Sequence, residues 1–306
     1  MRAVVTGCAG FIGSNLARRL LRDGYAVTGI DCFTDYYPRE IKQRNINDLV
    51  SNPAFTLLEK NILEMKDFPP ADFVFHQAAQ AGVRKSWGAD FEIYTRNNIE
   101  ATQKLLEFYK DKEIRKFVYA SSSSVYGKVP LPMKEDSVLK PESPYGVTKL
   151  AGENLCQLYH VNFGLPAVSL RYFTVYGPGQ RPDMAINMFV RAVSDGGEIT
   201  VYGDGEQTRD FTYVSDIVDA NLLAAGSGLA GQIFNIGGGS RITVNELVRK
   251  LEKATGKPAR LKYIEQQKGD VRDTLADVSR AGKLLKWQPQ VGIDEGLRQY
   301  VDWLGA

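Results

Sequence analysis

The sequence predicts an α/β protein: a doubly wound parallel sheet followed by a smaller mixed α/β unit at the C-terminal end. Three observations carry this. Short apolar or β-branched runs alternate with longer stretches of helical period through the first half, three glycines stand at the first strand-to-helix turn, and turn residues crowd the chain after Arg171.

Taken in order, residues 2–6, 26–30, 55–59, 73–77, 116–120 and 167–171 read as strands, several nearly all apolar as parallel strands buried on both faces must be. Helical patterns fill many of the gaps. Beyond Arg171, clusters such as Gly177-Pro178-Gly179, Arg181-Pro182, 203–205 and 237–239 punctuate short elements. Helical periods return at 244–253, 279–285 and 294–304, the last with Leu297, Val301 and Leu304 on one face. The predicted division is residues 1–171, with returning segments near 210–236, and residues 172–306.

Composition narrows the function. With 306 residues, 43% hydrophobic and 24% charged, the chain has the balance of a globular protein with a sizeable core. A net charge of +2 and no basic run leave no electrostatic footprint for nucleic acid or a membrane surface. The chain opens on a strand run with neither a leader pattern nor a spanning segment, which predicts a cytoplasmic protein. Cys8, Cys32 and Cys156 are odd in number and far apart, as reduced thiols are. His76 and His160 are the only histidines and no Cys/His pairing exists, so no metal site is expected.

The first turn carries the first chemistry. Thr6-Gly7-Cys8-Ala9-Gly10-Phe11-Ile12-Gly13 places three glycines between an apolar strand and a helix bearing Leu16, Leu20 and Leu21. A tight turn, close backbone approach to a pyrophosphate and an exposed helix N-terminus are what such spacing provides, the hallmark of a Rossmann-like dinucleotide site. Asp31 ends the next strand run, where a carboxylate accepts hydrogen bonds from adenosine ribose hydroxyls and repels a 2′-phosphate. The cofactor expected is therefore NAD.

Tyr145 and Lys149 lie four apart in Ser143-Pro144-Tyr145-Gly146-Val147-Thr148-Lys149, on one face of a helix. A free tyrosine has a pKa of about 10, so a tyrosine base needs positive charge nearby, which an ammonium and an oxidised nicotinamide would supply. Upstream, an apolar strand runs into Ser121-Ser122-Ser123-Ser124-Val125-Tyr126-Gly127, putting hydroxyls at the carboxyl end of a parallel strand, where ligands bind.

In this order, these motifs resemble the extended short-chain dehydrogenases and, among them, the nucleotide-sugar 4-epimerases, with similarity from Thr6 almost to the C-terminus. The resemblance implies Ser122, Tyr145 and Lys149 as the catalytic triad, and Phe11, Ile12, Asp31, Asn61, Ile62, Ala78, Asn98 and Tyr172 as cofactor contacts beside Gly7, Gly10 and Gly13. Asn61 departs from the aspartate common at its position. The implied chemistry is oxidation at C4 of a nucleotide-sugar with Tyr145 as base, rotation of the 4-keto sugar, and return of hydride to its other face, with NAD staying bound.

Several strings are similar to one branch, the UDP-glucuronate 4-epimerases: 31–38 with Lys42 and Asn45, 78–84 ending in Arg84, the four-serine run, and Phe173-Thr174-Val175-Tyr176-Gly177-Pro178 with Arg181-Pro182-Asp183-Met184-Ala185. A uronate carboxylate needs charge and donors; Arg181 could bind it bidentately, with Thr174, Ser123 and Ser124 adding hydroxyls. A related decarboxylating branch places a glutamate where this chain has Ser124, which argues against CO₂ loss. Val201, Tyr202 and Gln207 resemble uracil-side residues, and Arg209, Arg272 and Asn187 diphosphate ligands. The expected partner is thus a UDP-sugar. The competing expectations are an epimerase for neutral UDP-hexoses such as UDP-glucose, a decarboxylase, and a catalytically silent NAD-binding sensor. Relatives in this family commonly dimerise through helices corresponding to about 90–110 and 145–163, so a homodimer is expected.

Overall fold

The computed structural model describes residues 1–265 and 271–305; Gly269 and Asp270, which precede Arg272 in the sequence, lie outside the described residues. The first part runs β1 (Arg2–Thr6), α1 (Phe11–Arg22), β2 (Ala26–Asp31), α2 (Arg39–Val50), β3 (Phe55–Glu59), β4 (Phe73–His76), α3 (Phe91–Tyr94), α4 (Ala101–Tyr109), β5 (Lys116–Ser122), α5 (Pro144–Phe163) and β6 (Ala167–Tyr172). Then follow β7 (Thr174–Tyr176), α6 (Ala185–Ser194), β8 (Glu198–Tyr202), β9 (Thr208–Tyr213), α7 (Val214–Gly226), β10 (Gln232–Ile236), β11 (Ser240–Thr243), α8 (Val244–Thr255), β12 (Arg260–Ile264), α9 (Ser279–Leu285) and α10 (Ile293–Leu304).

Seven strands form one parallel sheet in the order β10-β6-β5-β4-β1-β2-β3. The order reverses between β1 and β4. That switch point opens the crevice at the strands' carboxyl ends, where the glycine turn, Asp31, Ala78 and the serine turn all emerge. Apolar side chains bury both faces of the sheet: β4 and β5 have no exposed residue, and Leu16, Ala17 and Leu20 of α1 are fully covered.

Three of these strands run one or two residues longer than their apolar stretches. Asp31 and Tyr172 close β2 and β6, and β5 continues through Ser121 and Ser122 because sheet pairing with Arg171 and Tyr172 carries the polar residues along. β4 stops at His76 instead of 77. Of the segment expected to return near 210–236, α7 and β10 do so, whereas β9 pairs with β7 and β11 in a separate three-stranded sheet. The helix expected across about 90–110 is interrupted by a π-helical turn, Thr95–Glu100, that holds Asn98 inward.

The helix that matters most starts sharply. Ser143 caps α5 by accepting from the Gly146 N–H at 3.1 Å, Pro144 opens its first turn, and Gly164, at φ 72°, closes it. Tyr145 is thereby pinned in the first turn and Lys149 one turn deeper. Beneath them Glu153 receives both Nε and Nη2 of Arg171, at 3.0 and 2.6 Å, in a pair that is 1% exposed on each side.

Candidate active site

The glycine turn is shaped by what a side chain would strike. A Cβ on Gly7, at φ +69°, would meet the Ala78 backbone at 2.8 Å, and one on Gly13 would sit 2.1 Å from the Gly7 carbonyl oxygen. The first turn of α1 therefore lies directly on the loop, and Gly10 caps the helix with no side chain over its free N–H groups. Asp31 closes the far side, its two oxygens accepting from Ala9 N–H at 3.0 Å and Phe33 N–H at 2.8 Å. Burial raises its carboxyl above the usual value, against those N–H groups and Lys42. Each oxygen keeps a lone pair for a ribose hydroxyl. A bare helix end, glycines where backbone must approach and a carboxylate at the end of β2 fit a dinucleotide.

A cavity of about 440 Å³ extends from this cradle and is lined by Gly7, Gly10, Phe11, Ile12, Gly13, Asp31, Asn61, Ile62, Ala78, Tyr145, Lys149 and Tyr172. Tyr172 is fixed by Asn221, whose amide donates to its oxygen at 2.8 Å, and by Gln77 at 3.2 Å. Asn61 uses its carbonyl oxygen to accept from Leu63 N–H at 2.9 Å, which leaves its NH₂ for the cavity.

At the inner end stand the catalytic candidates. Ser122 accepts from Ser124 N–H at 3.1 Å, and its hydroxyl works to lower the pKa of the Tyr145 phenol. Lys149 is 3% exposed, its Nζ 4.5 Å from the Tyr119 ring centre, and burial lowers its pKa to about 7 against the pull of Cys156 and Glu153. Burial also raises the Tyr145 phenol, opposed by Ser122 and the Arg181 charge. This differs from the expected depression by Lys149: in the protein alone desolvation wins, and the cationic side chain acting on Tyr145 is Arg181.

Ser123, Ser124, Thr174 and Arg181 line the same cavity as Tyr145. Arg181 is already engaged, its Nε and Nη2 donating to Asp183 at 2.9 and 3.0 Å. Thr174 is also a wall of a second cavity of about 410 Å³, lined by Arg84, Val201, Tyr202, Gln207, Arg209 and Arg272, so the two cavities meet there. Arg84 reaches from the first half to lie 4.0 Å from the Tyr202 ring centre. Gln207 donates to the Tyr202 carbonyl at 2.7 Å, Arg209 to that of Arg272 at 2.8 Å, and Arg272 to Asp204 at 3.2 Å.

The profile of the NAD dependent epimerase/dehydratase family matches residues 3–237. The chain belongs to that family. Across 100% of its length and 99% of the other chain, at 42% identity and a TM-score of 0.96, it is similar to the UDP-glucuronic acid 4-epimerase of Bacillus cereus, solved in complex with UDP-glucuronic acid and NAD. It is 40% identical to the UDP-glucuronate 4-epimerase of Thermodesulfobacterium geofontis over 98% of this chain and 95% of that one. It is also 42% identical to an uncharacterized UDP-glucose epimerase of Bacillus subtilis over 100% of this chain and 98% of that one.

Within this epimerase/dehydratase fold three expected residues stand elsewhere than expected. Asn98 does not line the cavity: its amide spans Gln80 O and Thr148 Oγ1, each at 2.9 Å, and its oxygen accepts from Gln80 N–H at 2.7 Å. It braces the loop after β4 against α5. Asn187 lies on the buried side of α6, its groups taken by Gln180 O, Tyr300 Oη and Arg191 Nε, and is not brought to Arg209 and Arg272. Ser122 reaches the cavity only through Tyr145. Conversely, sequence reasoning missed Tyr36, which lines the cavity and donates to Asp183 at 3.2 Å, and Tyr94, whose ring meets Tyr145 edge-on at 6.2 Å. An acid two residues after Arg181 was the one legible signal.

Proposed function

We propose that the protein is an isomerase, a UDP-glucuronate 4-epimerase acting with NAD. The observation that carries the reading is the placement of Arg181, with Thr174, Ser123 and Ser124, in the cavity that holds Tyr145 and Lys149. Among the described residues the Nη1 side of the Arg181 guanidinium has no partner, leaving a forked edge for a sugar carboxylate.

The division of labour follows the sheet. Residues 1–171, with α7 and β10, form the NAD-binding part, and the rest of 172–306 holds the UDP-sugar, with Arg209 and Arg272 toward the diphosphate and Val201, Tyr202 and Gln207 toward the uracil. Gly7, Gly10, Gly13 and Asp31 would hold NAD, which supplies hydride acceptance and return at C4. Tyr145 takes the C4 hydroxyl proton and Ser122 shares it; Lys149, whose pKa burial lowers to about 7, stands one turn below on the same helix. Because a 4-keto uronate is a β-keto acid, the donors around its carboxylate serve retention as well as recognition. Ser124, where the decarboxylating branch has glutamate, is consistent with retention.

Incubation with UDP-glucuronate and, separately, UDP-glucose, followed by product separation, tests the reading; UDP-galacturonate is the expected product, and conversion of the neutral sugar alone overturns it. A second reading, an epimerase of neutral UDP-hexoses, is favoured by the neutralisation of Arg181 by Asp183.

Exposed apolar residues Phe91 and Ile93 on α3 and Val147, Leu158 and Val161 on α5 support a homodimer, which sedimentation would show as twice the chain mass. Among the described residues no helix is long and apolar enough to cross a membrane. The free cysteines, Cys8 and Cys156 buried among them, suit the reducing cytoplasm proposed as the enzyme's compartment.

A further inference from the structure

Arg181 is held by a device that carboxylate recognition alone does not require. Its Nε and Nη2 meet Asp183 Oδ1 and Oδ2 at 2.9 and 3.0 Å, and Asp183 Oδ2 also accepts from Tyr36 Oη at 3.2 Å. The guanidinium carbon lies 5.2 Å from the Tyr36 ring centre, and the side chain is only 18% exposed. Burial works against its charge, and the pairing with Asp183 is what offsets that. Tyr36 comes from the segment between β2 and α2 that Asp31 begins, so the clamp spans the cleft.

We propose that Asp183 is a positioning residue: by occupying one edge of the Arg181 guanidinium, it keeps that side chain folded over the cleft, its other edge toward the sugar and its charge toward Tyr145. The carboxylate half of this rests on the uronate reading; the effect on Tyr145 does not depend on which sugar is bound.

Tyr145 is faced by Ser122 and Tyr119 from β5, Tyr94 from α3, Lys149 from its own helix and Arg181 from the segment after β7. Arg181 in turn faces Tyr36, Tyr37, Tyr94, Tyr145 and Asp183. Without Asp183, a guanidinium this deep is uncompensated and turns toward water, taking its charge from Tyr145 and its donors from the sugar. Tyr145 works as phenolate, so the rate falls as pH drops through its pKa. Loss of a neighbouring positive charge raises that pKa, and the acid limb of the pH profile moves up.

The test compares D183N, D183E, R181A and the double variant D183N/R181A with the parent, each as the NAD-bound full chain, using UDP-glucuronate and UDP-glucose across the pH range of activity. D183N is expected to raise the acid limb by about half a unit to one unit. It should also lower kcat/KM for UDP-glucuronate about tenfold, mostly through KM, and change KM for UDP-glucose little. D183E restores most of both, and the double variant is no worse than R181A because the two residues act as one unit. An acid limb that stays or falls in D183N, or a D183N loss that adds to that of R181A, overturns the proposal. If only the neutral sugar is converted the uronate reading fails, while the limb shift on UDP-glucose still decides whether Asp183 acts on Tyr145. Should D183N not fold, Tyr36→Phe removes only the second partner of Asp183 and must shift the limb in the same direction by less; no shift there overturns the proposal equally.

Discussion

The two halves of the cleft are built from different materials. On the cofactor side the working surface is backbone: Gly7, Gly10 and Gly13 make contact by having nothing to contact with, and Asp31 is held by two N–H groups of neighbouring loops. On the side proposed to hold the sugar, the surface is charged side chains held by other side chains and by carbonyls from distant segments, Arg181 by Asp183, Arg84 by Tyr202 and Arg209 by the Arg272 carbonyl. A backbone cradle tolerates almost no change at its glycines; a side-chain cage can be retuned one residue at a time. Cofactor use is therefore the stiff property of this architecture and sugar choice the adjustable one.

Tyr145 stands where the halves meet, and Tyr145→Phe should cost the most. Turnover falls by ~10²–10⁴-fold, while bound NAD, measured in the released supernatant after denaturation, is unchanged; a comparable loss of NAD would place Tyr145 with the cradle instead. Next is the buried pair below it. Glu153→Gln leaves Arg171 unpaired and should lower stability by about 3–5 kcal/mol in urea unfolding, whereas replacing both partners with apolar residues of similar volume should recover most of that.

Gly13→Ala tests the claim about backbone. Its Cβ would lie 2.1 Å from a carbonyl oxygen that cannot swing away, so stability should fall by about 3 kcal/mol and NAD content with it. Wild-type NAD content in that variant would show the contact to be adjustable after all.

An effect confined to acid pH belongs to Asp210, buried in β9 with one oxygen accepting from Ala276 N–H at 2.9 Å and the other, among the described residues, without a hydrogen-bond partner. Burial lifts its carboxyl from 3.8 to about 6. Between those values the folded chain keeps a proton that the unfolded chain has lost. The stability this group contributes is present below pH 3.8, is lost as pH rises through about 6, and is flat above. Asp210→Asn should remove that slope, on the order of 3 kcal/mol between the two plateaus; an unchanged slope would assign it to other groups.

Much of the fold was legible because its signals are local. The six strand runs, the glycine turn and the helical spacing of Tyr145 and Lys149 each depend on residues within one element, and each was found within a residue or two of its place. The ends of strands were not legible, since Ser121, Ser122 and Tyr172 are held in the sheet by partners in another strand. Asn98 shows the same limit at the site. The family resemblance implied a cofactor contact there, but a π-helical turn aims it at Gln80 and Thr148.

What the sequence by itself determined is the chemistry available: a dinucleotide turn, a carboxylate at the end of the second strand, and a tyrosine and lysine one helical turn apart. Those are short-range patterns, and 3.6-residue periodicity together with steric exclusion at glycine enforces them wherever the chain folds. Tertiary structure alone decided how that chemistry is tuned. Whether Tyr145 holds its proton depends on how deeply the cleft buries it and on a guanidinium delivered from the other half of the chain, whose orientation is set by Asp183 and by Tyr36 from across the cleft. Desolvation and charge act through space, and no spacing along the chain records them.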